Sequence, residues 1–244
     1  RHNGAPRFPR RPGGMKRRRV KITGIGPVTP AGIGREGFWR ALLEPISWIR
    51  PFTKLGPEVG PFVAGYLDRF HIENYLDGRV PPKGAARHTL FALAGAALAL
   101  RDAGLNLDDV NGTSSVVVAG SSLMDFGGIG RTVEGQTSKG LRGAVARTVY
   151  TTNAAVIPAT IIKVLDLNAR SLAIGTSCCA GMDAIGHAVR MIALGEAEIA
   201  ICGGTDAPLF RTPLVELRAA GLTPATAENP HKLNRPFDLW RTTG

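Results

Sequence analysis

The sequence is short of cysteine, of aromatic residues and of long apolar runs, and each shortage removes a class of protein. Only three cysteines occur, Cys178, Cys179 and Cys202. Their number and spacing exclude a disulfide framework and a Cys-x-x-Cys metal site, and adjacent cysteines bridge one another only with strain. A reducing, cytoplasmic setting is the expectation. The longest apolar run, LFALAGAALAL at 90–100, falls well below the roughly twenty residues that span a bilayer, so a soluble protein without a membrane partner is expected. Against nine Phe, three Tyr and three Trp stand thirty-one Gly, which implies tight turns and close backbone contacts.

Acidic residues are missing from the first stretch of the chain. RHNGAPRFPRRPGGMKRRRVK, residues 1–21, holds nine of the thirty Lys and Arg, and the remainder is nearly neutral although the whole carries +11. The basicity therefore belongs to a Pro- and Arg-rich tail, expected to be disordered over residues 1–19 because it has little apolar surface to bury. Met15 reads as the natural start, with residues 1–14 as upstream sequence or an expression remnant. A basic arm that binds nucleic acid is the alternative reading of this charge. The tail lacks the apolar segment of a secretory signal.

The rest of the chain alternates strand-like and helix-like segments. RVKITGIG reads as a strand running into a glycine turn, and GREGFWRALLE (34–44) places Phe38, Leu42, Trp39 and Leu43 at helical spacing. An extended piece lies around FVAGYL in the Pro-rich stretch 45–82. Residues 84–103 form a long apolar helix that Gly104 ends. SSVVVAGSS (114–122) is β-branched and reads as a strand. The Gly-rich stretch 127–143 reads as a functional or interface loop. A helix at about 152–165, strand SLAIGT, helix CAGMDAIGHAVRMIALG, strand EIAICGG and a helix near 213–220 complete the series. This rhythm predicts an α/β fold with a largely parallel sheet covered on both faces.

Two segments could carry chemistry. TGIGPVTPAGIG (23–34) resembles a dinucleotide-binding glycine loop, but Thr29 stands at the third glycine position and Pro27 and Pro30 interrupt the turn. A glycine turn joining strand to helix is the preferred reading. In the second segment Cys178 sits where a buried strand passes into a helix, with Ala180, Ala184, Ala188, Ile185, Val189 and Ile192 expected on the inner faces. The positive end of a helix stabilises a thiolate, the nucleophilic form of cysteine. Its free N–H groups could also hold the oxyanion of a tetrahedral intermediate. Gly175, Ser177, Ala180 and Gly181 are small enough to admit a substrate. Free cysteines are also among the most buried and inert residues, so spacing alone leaves both readings open. His187, nine residues on, lies about 13 Å along the helix axis. It reads as a packed or capped helix histidine, not as a base for Cys178. His2, His71, His88 and His231 have no recommending pattern.

KITGIGPVTPAG, GTSCCAGMDAIGHAVRMIALGEAEIAICGGTDAP and NRPFD occur in the order and spacing of β-ketoacyl-acyl carrier protein synthases. The chain resembles their elongating, type II-like members from about residue 18 onward. On the family's Thr-small-Cys pattern Thr176, Ser177, Cys178 and Gly181 match; Cys178 takes the nucleophile's place and Cys179 that of a small neighbour. The resemblance implies a thiolase-like fold of two α/β halves in an αβαβα arrangement, of which residues 20–244 are the N-terminal half. It also implies a homodimer and an acyltransferase that needs no metal or tightly held organic cofactor. An acyl group moves from the phosphopantetheine arm of acyl carrier protein to the cysteine, and malonyl-carrier protein then undergoes decarboxylating Claisen condensation in fatty acid or polyketide synthesis. The family's two catalytic histidines and supporting lysine belong to its C-terminal half, so this part alone is expected to be inactive in condensation and to expose apolar faces. LNARS (167–171) departs from the Gly-Pro usual before the nucleophile strand. A non-catalytic chain-length partner shares the fold but typically replaces the nucleophile. A thiolase or initiating synthase fits less well, because NRPFD and the long excursion before it match the elongating type.

Overall fold

A computed structural model describes residues 18–56 and 59–241. The tail therefore lies almost wholly outside the described residues; at its end, the Arg18 N–H donates to the Ala193 carbonyl at 3.2 Å. Residues 18–27 form no strand, contrary to the alternating pattern of RVKITGIG. Gly24 and Gly26 instead press on a later helix so closely that a Cβ on either would fall 2.2 Å from the Ala99 carbonyl oxygen or 1.9 Å from that of Gly95. This close approach is the use of the glycines in TGIG, and it favours packing over phosphate binding. A short hairpin, β1 (Val28–Thr29) with β2 (Gly32–Ile33), follows. It is closed by the Thr29 hydroxyl, which donates to the Gly32 carbonyl at 2.9 Å, and leads into α1 (Gly34–Leu43).

A second hairpin pairs β3 (Arg50–Phe52) with β4 (Phe62–Ala64). Its Phe52 and Phe62 pack with Leu214 in a small separate core. The long apolar segment forms α2 (Arg87–Asp102) and is followed by α3 (Leu107–Asn111), whose Asn106 and Asp109 make reciprocal capping bonds of 2.9 Å. Such a box satisfies N–H groups that the first helical turn leaves unpaired.

The central strand is β5 (Ser115–Gly120), buried along its whole length. Alternation along a strand sends successive side chains to opposite faces, and here both faces are apolar. Val117 and Ala119 join Leu93, Leu100, Ile157 and Ile161 in one core, while Val116 and Val118 join Ile174, Ala180, Ala184 and Ala188 in another. The Gly-rich stretch after β5, expected as a loop, is largely helical: α4 (Phe126–Lys139) is capped by Asp125, which accepts from Gly128 N at 2.8 Å. Its glycines make room for neighbours, since a Cβ on Gly127 would overlap the Phe210 ring at 2.3 Å.

Beyond α5 (Thr148–Thr151) and α6 (Val156–Leu165) comes β6 (Ala169–Ile174). The turn at LNARS is organised by Asn111, whose side chain donates to the Asp166 carbonyl at 2.9 Å and accepts from Asn168 N at 2.6 Å. After β6 the chain enters α7 (Ala180–Ala193), β7 (Ile199–Gly204) and α8 (Arg211–Ala219). β6, β5 and β7 form a parallel sheet in that order. Helices α2 and α6 cover one face and α7 the other, an αβα stack. Along α7, Ala180, Ala184 and Ala188 are buried as expected, but Val189 is left accessible, bordering a cavity between α7, the sheet and α2. Large apolar groups lie open on α1 (Trp39, Leu43) and α7 (Met182). Among the described residues no helix is long and apolar enough to cross a membrane.

Candidate active site

In a parallel sheet flanked by helices, ligands bind beyond the carboxyl ends of the strands. Here the three ends are tied into one rim. Ser121 N donates to the Ile174 carbonyl at 3.1 Å, and Thr205 N to that of Gly120 at 2.9 Å. Asp206 clamps the loop leaving β5, accepting from the Ser121 hydroxyl at 3.0 Å, Ser122 N at 3.0 Å and Leu123 N at 2.8 Å. Next to this rim the chain leaves β6 through Gly175 and Thr176, makes a 3-10 turn over Ser177–Cys179 and enters α7.

Cys178 occupies the middle of that turn and is exposed, as is Cys179, the N-cap of α7. The Cys179 N–H is committed to the Thr176 carbonyl at 3.3 Å. The Cys178 N–H donates to no acceptor among the described residues. The turn is strained at Ser177, whose φ of +56° is a left-handed value that a residue with a side chain rarely adopts. Two contacts hold it there. The Thr176 hydroxyl donates to the Asp183 carboxylate in the first turn of α7, a charge-assisted bond that bridges the turn and the helix. Below, α7 rests directly on the sheet: a Cβ on Gly120 would lie 2.2 Å from the Ala180 carbonyl oxygen, and one on Gly204 would lie 2.7 Å from the Gly181 Cα. A Cβ on Gly175 would meet nothing within 4 Å, so the chain enters the turn through open space.

This arrangement gives the Thr176–Asp183 bridge a measurable weight. Because both groups meet solvent, Thr176→Val and Asp183→Ala should each lower stability by about 1 kcal/mol. The double variant should cost no more than the larger single change, because one bond is lost in all three. Denaturant unfolding of the four proteins checks this; additive losses would mean that the two side chains act separately.

The remaining candidates lie elsewhere. Cys202 is on β7 and lines a cavity of about 730 Å³ between the sheet, α2, α7 and residues 20–29. By area it counts as exposed because it borders that space, yet the surrounding walls are close enough for burial to push its thiol up. His187 is exposed on α7 and not packed as the sequence suggests. His71 precedes one 3-10 turn and His231 lies in another, while His2 falls outside the described residues. His88, unremarkable in sequence, is buried in the first turn of α2 with Nε2 unpartnered. Burial pushes its imidazole down against the opposing pull of Asp125 and Asp206. Asp183 and Asp206 were not visible as site residues. The local signal for Asp183 is that of any acidic residue in the first turn of a helix, the ordinary complement to a helix dipole, and Asp206, in the loop after β7, has none.

Comparison with known proteins shows the family. Residues 17–243 match the family described as Beta-ketoacyl synthase, N-terminal domain. The chain belongs to that family. It is 30% identical over 234 residues to 3-oxoacyl-[acyl-carrier-protein] synthase 2 of Vibrio harveyi, a match covering 93% of this chain and 55% of the relative. A similar likeness, 31% over 222 residues, extends to the ketoacyl synthase beta subunit of the tetracenomycin polyketide synthase of Streptomyces glaucescens, covering 90% of this chain and 53% of that one. Among solved structures, the ishigamide ketosynthase/chain length factor superposes with a TM-score of 0.84 at 27% identity, over 93% of this chain and 55% of that one. The ketosynthase bound to a type II polyketide acyl-carrier protein superposes at 0.76 with 25% identity, over 93% and 55%. The fold is thus thiolase-like, and the chain spans about half the length of the relatives it matches.

Proposed function

We propose that the chain is the nucleophile-bearing part of a β-ketoacyl-acyl carrier protein synthase. The observation that carries the reading is the placement of Cys178. It is exposed on a strained turn at the positive end of α7, beside the carboxyl rim of the sheet, in a chain that matches the family over residues 17–243. The Cys178 thiolate attacks the thioester carbonyl of an acyl group on the phosphopantetheine arm of acyl carrier protein. The tetrahedral oxyanion forms near the free Cys178 N–H, and its collapse expels the pantetheine thiolate and leaves an acyl-enzyme. A malonyl thioester then loses carbon dioxide, and its carbanion displaces Cys178 from the acyl carbonyl to give the β-ketoacyl product. Decarboxylation is assigned to groups in the further length that the relatives possess. A homodimer and a cytoplasmic setting belong to the same proposal.

The likeness to a polyketide synthase beta subunit favours a second reading, a chain-length partner that performs no chemistry. Incubation with an acyl-pantetheine thioester separates the two. Covalent acyl transfer to the protein, released by hydroxylamine, supports the nucleophile; a chain that takes up no acyl group while native Cys178 remains a free thiol supports the partner.

A further inference from the structure

The proposed function uses one cysteine of an adjacent pair. Cys179 remains unexplained: it is exposed and free beside the reactive position, and its side chain makes no capping bond to α7. Accessible nucleophilic thiols are the ones that peroxides oxidise, and such thiols survive when a second thiol traps the sulfenic acid before further oxygen is added. Cys179 is the nearest thiol in sequence, while Cys202 lies on β7 facing the cavity under residues 20–29.

We propose that Cys179 is a resolving thiol, which closes a reversible disulfide with Cys178 after oxidation by a hydroperoxide. The inference rests on Cys178 being the reactive nucleophile. In the first step the Cys178 thiolate attacks a peroxide oxygen. The O–O bond breaks, an S–O bond forms, and the peroxide leaves as an alcohol or water, reduced by two electrons from sulfur. In the second step the Cys179 thiol attacks that sulfur, the S–O bond breaks, and the oxygen leaves as water with the thiol proton. A dithiol reductant reverses the reaction and is itself oxidised to a disulfide.

The backbone makes this bond weak, which suits a reversible role. The peptide linking the two residues is trans, so their Cα atoms stand about 3.8 Å apart, whereas unstrained disulfides span roughly 4.4–6.8 Å. A strained bond has a more oxidising potential and is the kind that small thiols readily reduce. Neither sulfur is tied into a side-chain cap of α7, and a Cβ on Gly175 would meet nothing within 4 Å, so the closure displaces no packed neighbour there. Closure occupies the Cys178 sulfur and so suspends acyl transfer until reduction.

The test treats the native chain and Cys179→Ala with a modest excess of hydrogen peroxide. Remaining thiols are then alkylated, before and after dithiothreitol, and mapped in the tryptic peptide 171–190. Met182 is exposed within that peptide, and dithiothreitol leaves its sulfoxide untouched, so the state of the pair is read from alkylation and not from total mass. The expected result is a peptide in which both cysteines resist alkylation after peroxide and both recover after dithiothreitol. In Cys179→Ala the recovered Cys178 should fall severalfold, replaced by sulfinic and sulfonic acids. Equal recovery in the two proteins, or a disulfide joining Cys178 to Cys202, overturns the proposal. Alkylation of the untreated chain keeps it separate from the reading beneath it: if Cys178 is not the fastest thiol, both fall, whereas a fast Cys178 without an internal disulfide overturns only the resolving role.

Discussion

Cys178→Ala is expected to abolish acyl uptake, by about 10⁴-fold or more in initial rate, while Cys179→Ala retains most of it. Loss of a nucleophile removes the covalent route outright and leaves only binding and the oxyanion donor. The asymmetry between neighbours follows from the turn. Cys179 is the N-cap of α7 with its N–H committed to Thr176. Cys178 stands one residue earlier, and its own N–H has no acceptor among the described residues and is available to a bound carbonyl. Alanine at 179 keeps the N-cap geometry, because no side chain caps that helix. Rates of acyl transfer from a pantetheine thioester check both variants, and a Cys178→Ala protein that still acylated at 179 would reverse the assignment.

The second large effect concerns the seat of α7. Gly120→Val should destabilise the chain by about 3 kcal/mol or more, because the added Cβ would fall 2.2 Å from a backbone carbonyl that cannot rotate away. For a chain of this size that corresponds to a melting temperature lower by roughly 10 °C. The displaced atoms are those of Ala180 and Gly181, so the turn carrying Cys178 should move with them and its alkylation rate should change. Gly186→Ala is the control on the same helix. Gly186 is exposed and has nothing within 4 Å of its Cβ position, and alanine is a better helix former than glycine by about 0.5–1 kcal/mol. That variant should be slightly more stable and alkylate Cys178 at the native rate. Comparable melting temperatures for the two variants would remove the glycine seat from the account.

The strands and helices that build the rim were legible because their patterns are strong and local. VVVAG between Ser and Gly could hardly be other than a buried strand, and the alanines at 180, 184 and 188 mark the face of α7 that meets it. Where reading failed, the deciding partner was distant in sequence. Residues 127–143 look like a loop until Phe210 is placed against Gly127. RVKITGIG has the alternation of a strand, but Gly24 and Gly26 lie against α2, and the cavity separates the segment from β7. Val189 has the right spacing for the inner face of α7, yet it is left accessible because it borders the cavity between the sheet, α2, α7 and residues 20–29, and is not packed in the core with the alanine stripe.

The site followed the same division. The position of Cys178 in the turn between β6 and α7 could be read from the strand-to-helix transition, which is contained in a few consecutive residues. Its supports could not. Asp206 reaches Ser121 across 85 positions, and Gly204 meets Gly181 through the sheet. The bridge from Thr176 to Asp183 depends on Ser177 adopting a left-handed conformation that serine does not advertise. Side chains that hold such a turn carry no pattern of their own, because their partners are chosen by the fold.

The most direct measurement is peptide mapping after brief exposure of the native chain to an acyl-pantetheine thioester, stopped at low occupancy. The account predicts a hydroxylamine-labile acyl group on Cys178 within peptide 171–190, with Cys179 and Cys202 still free. An acyl group on Cys179 or Cys202 instead, with Cys178 unmodified, would contradict it.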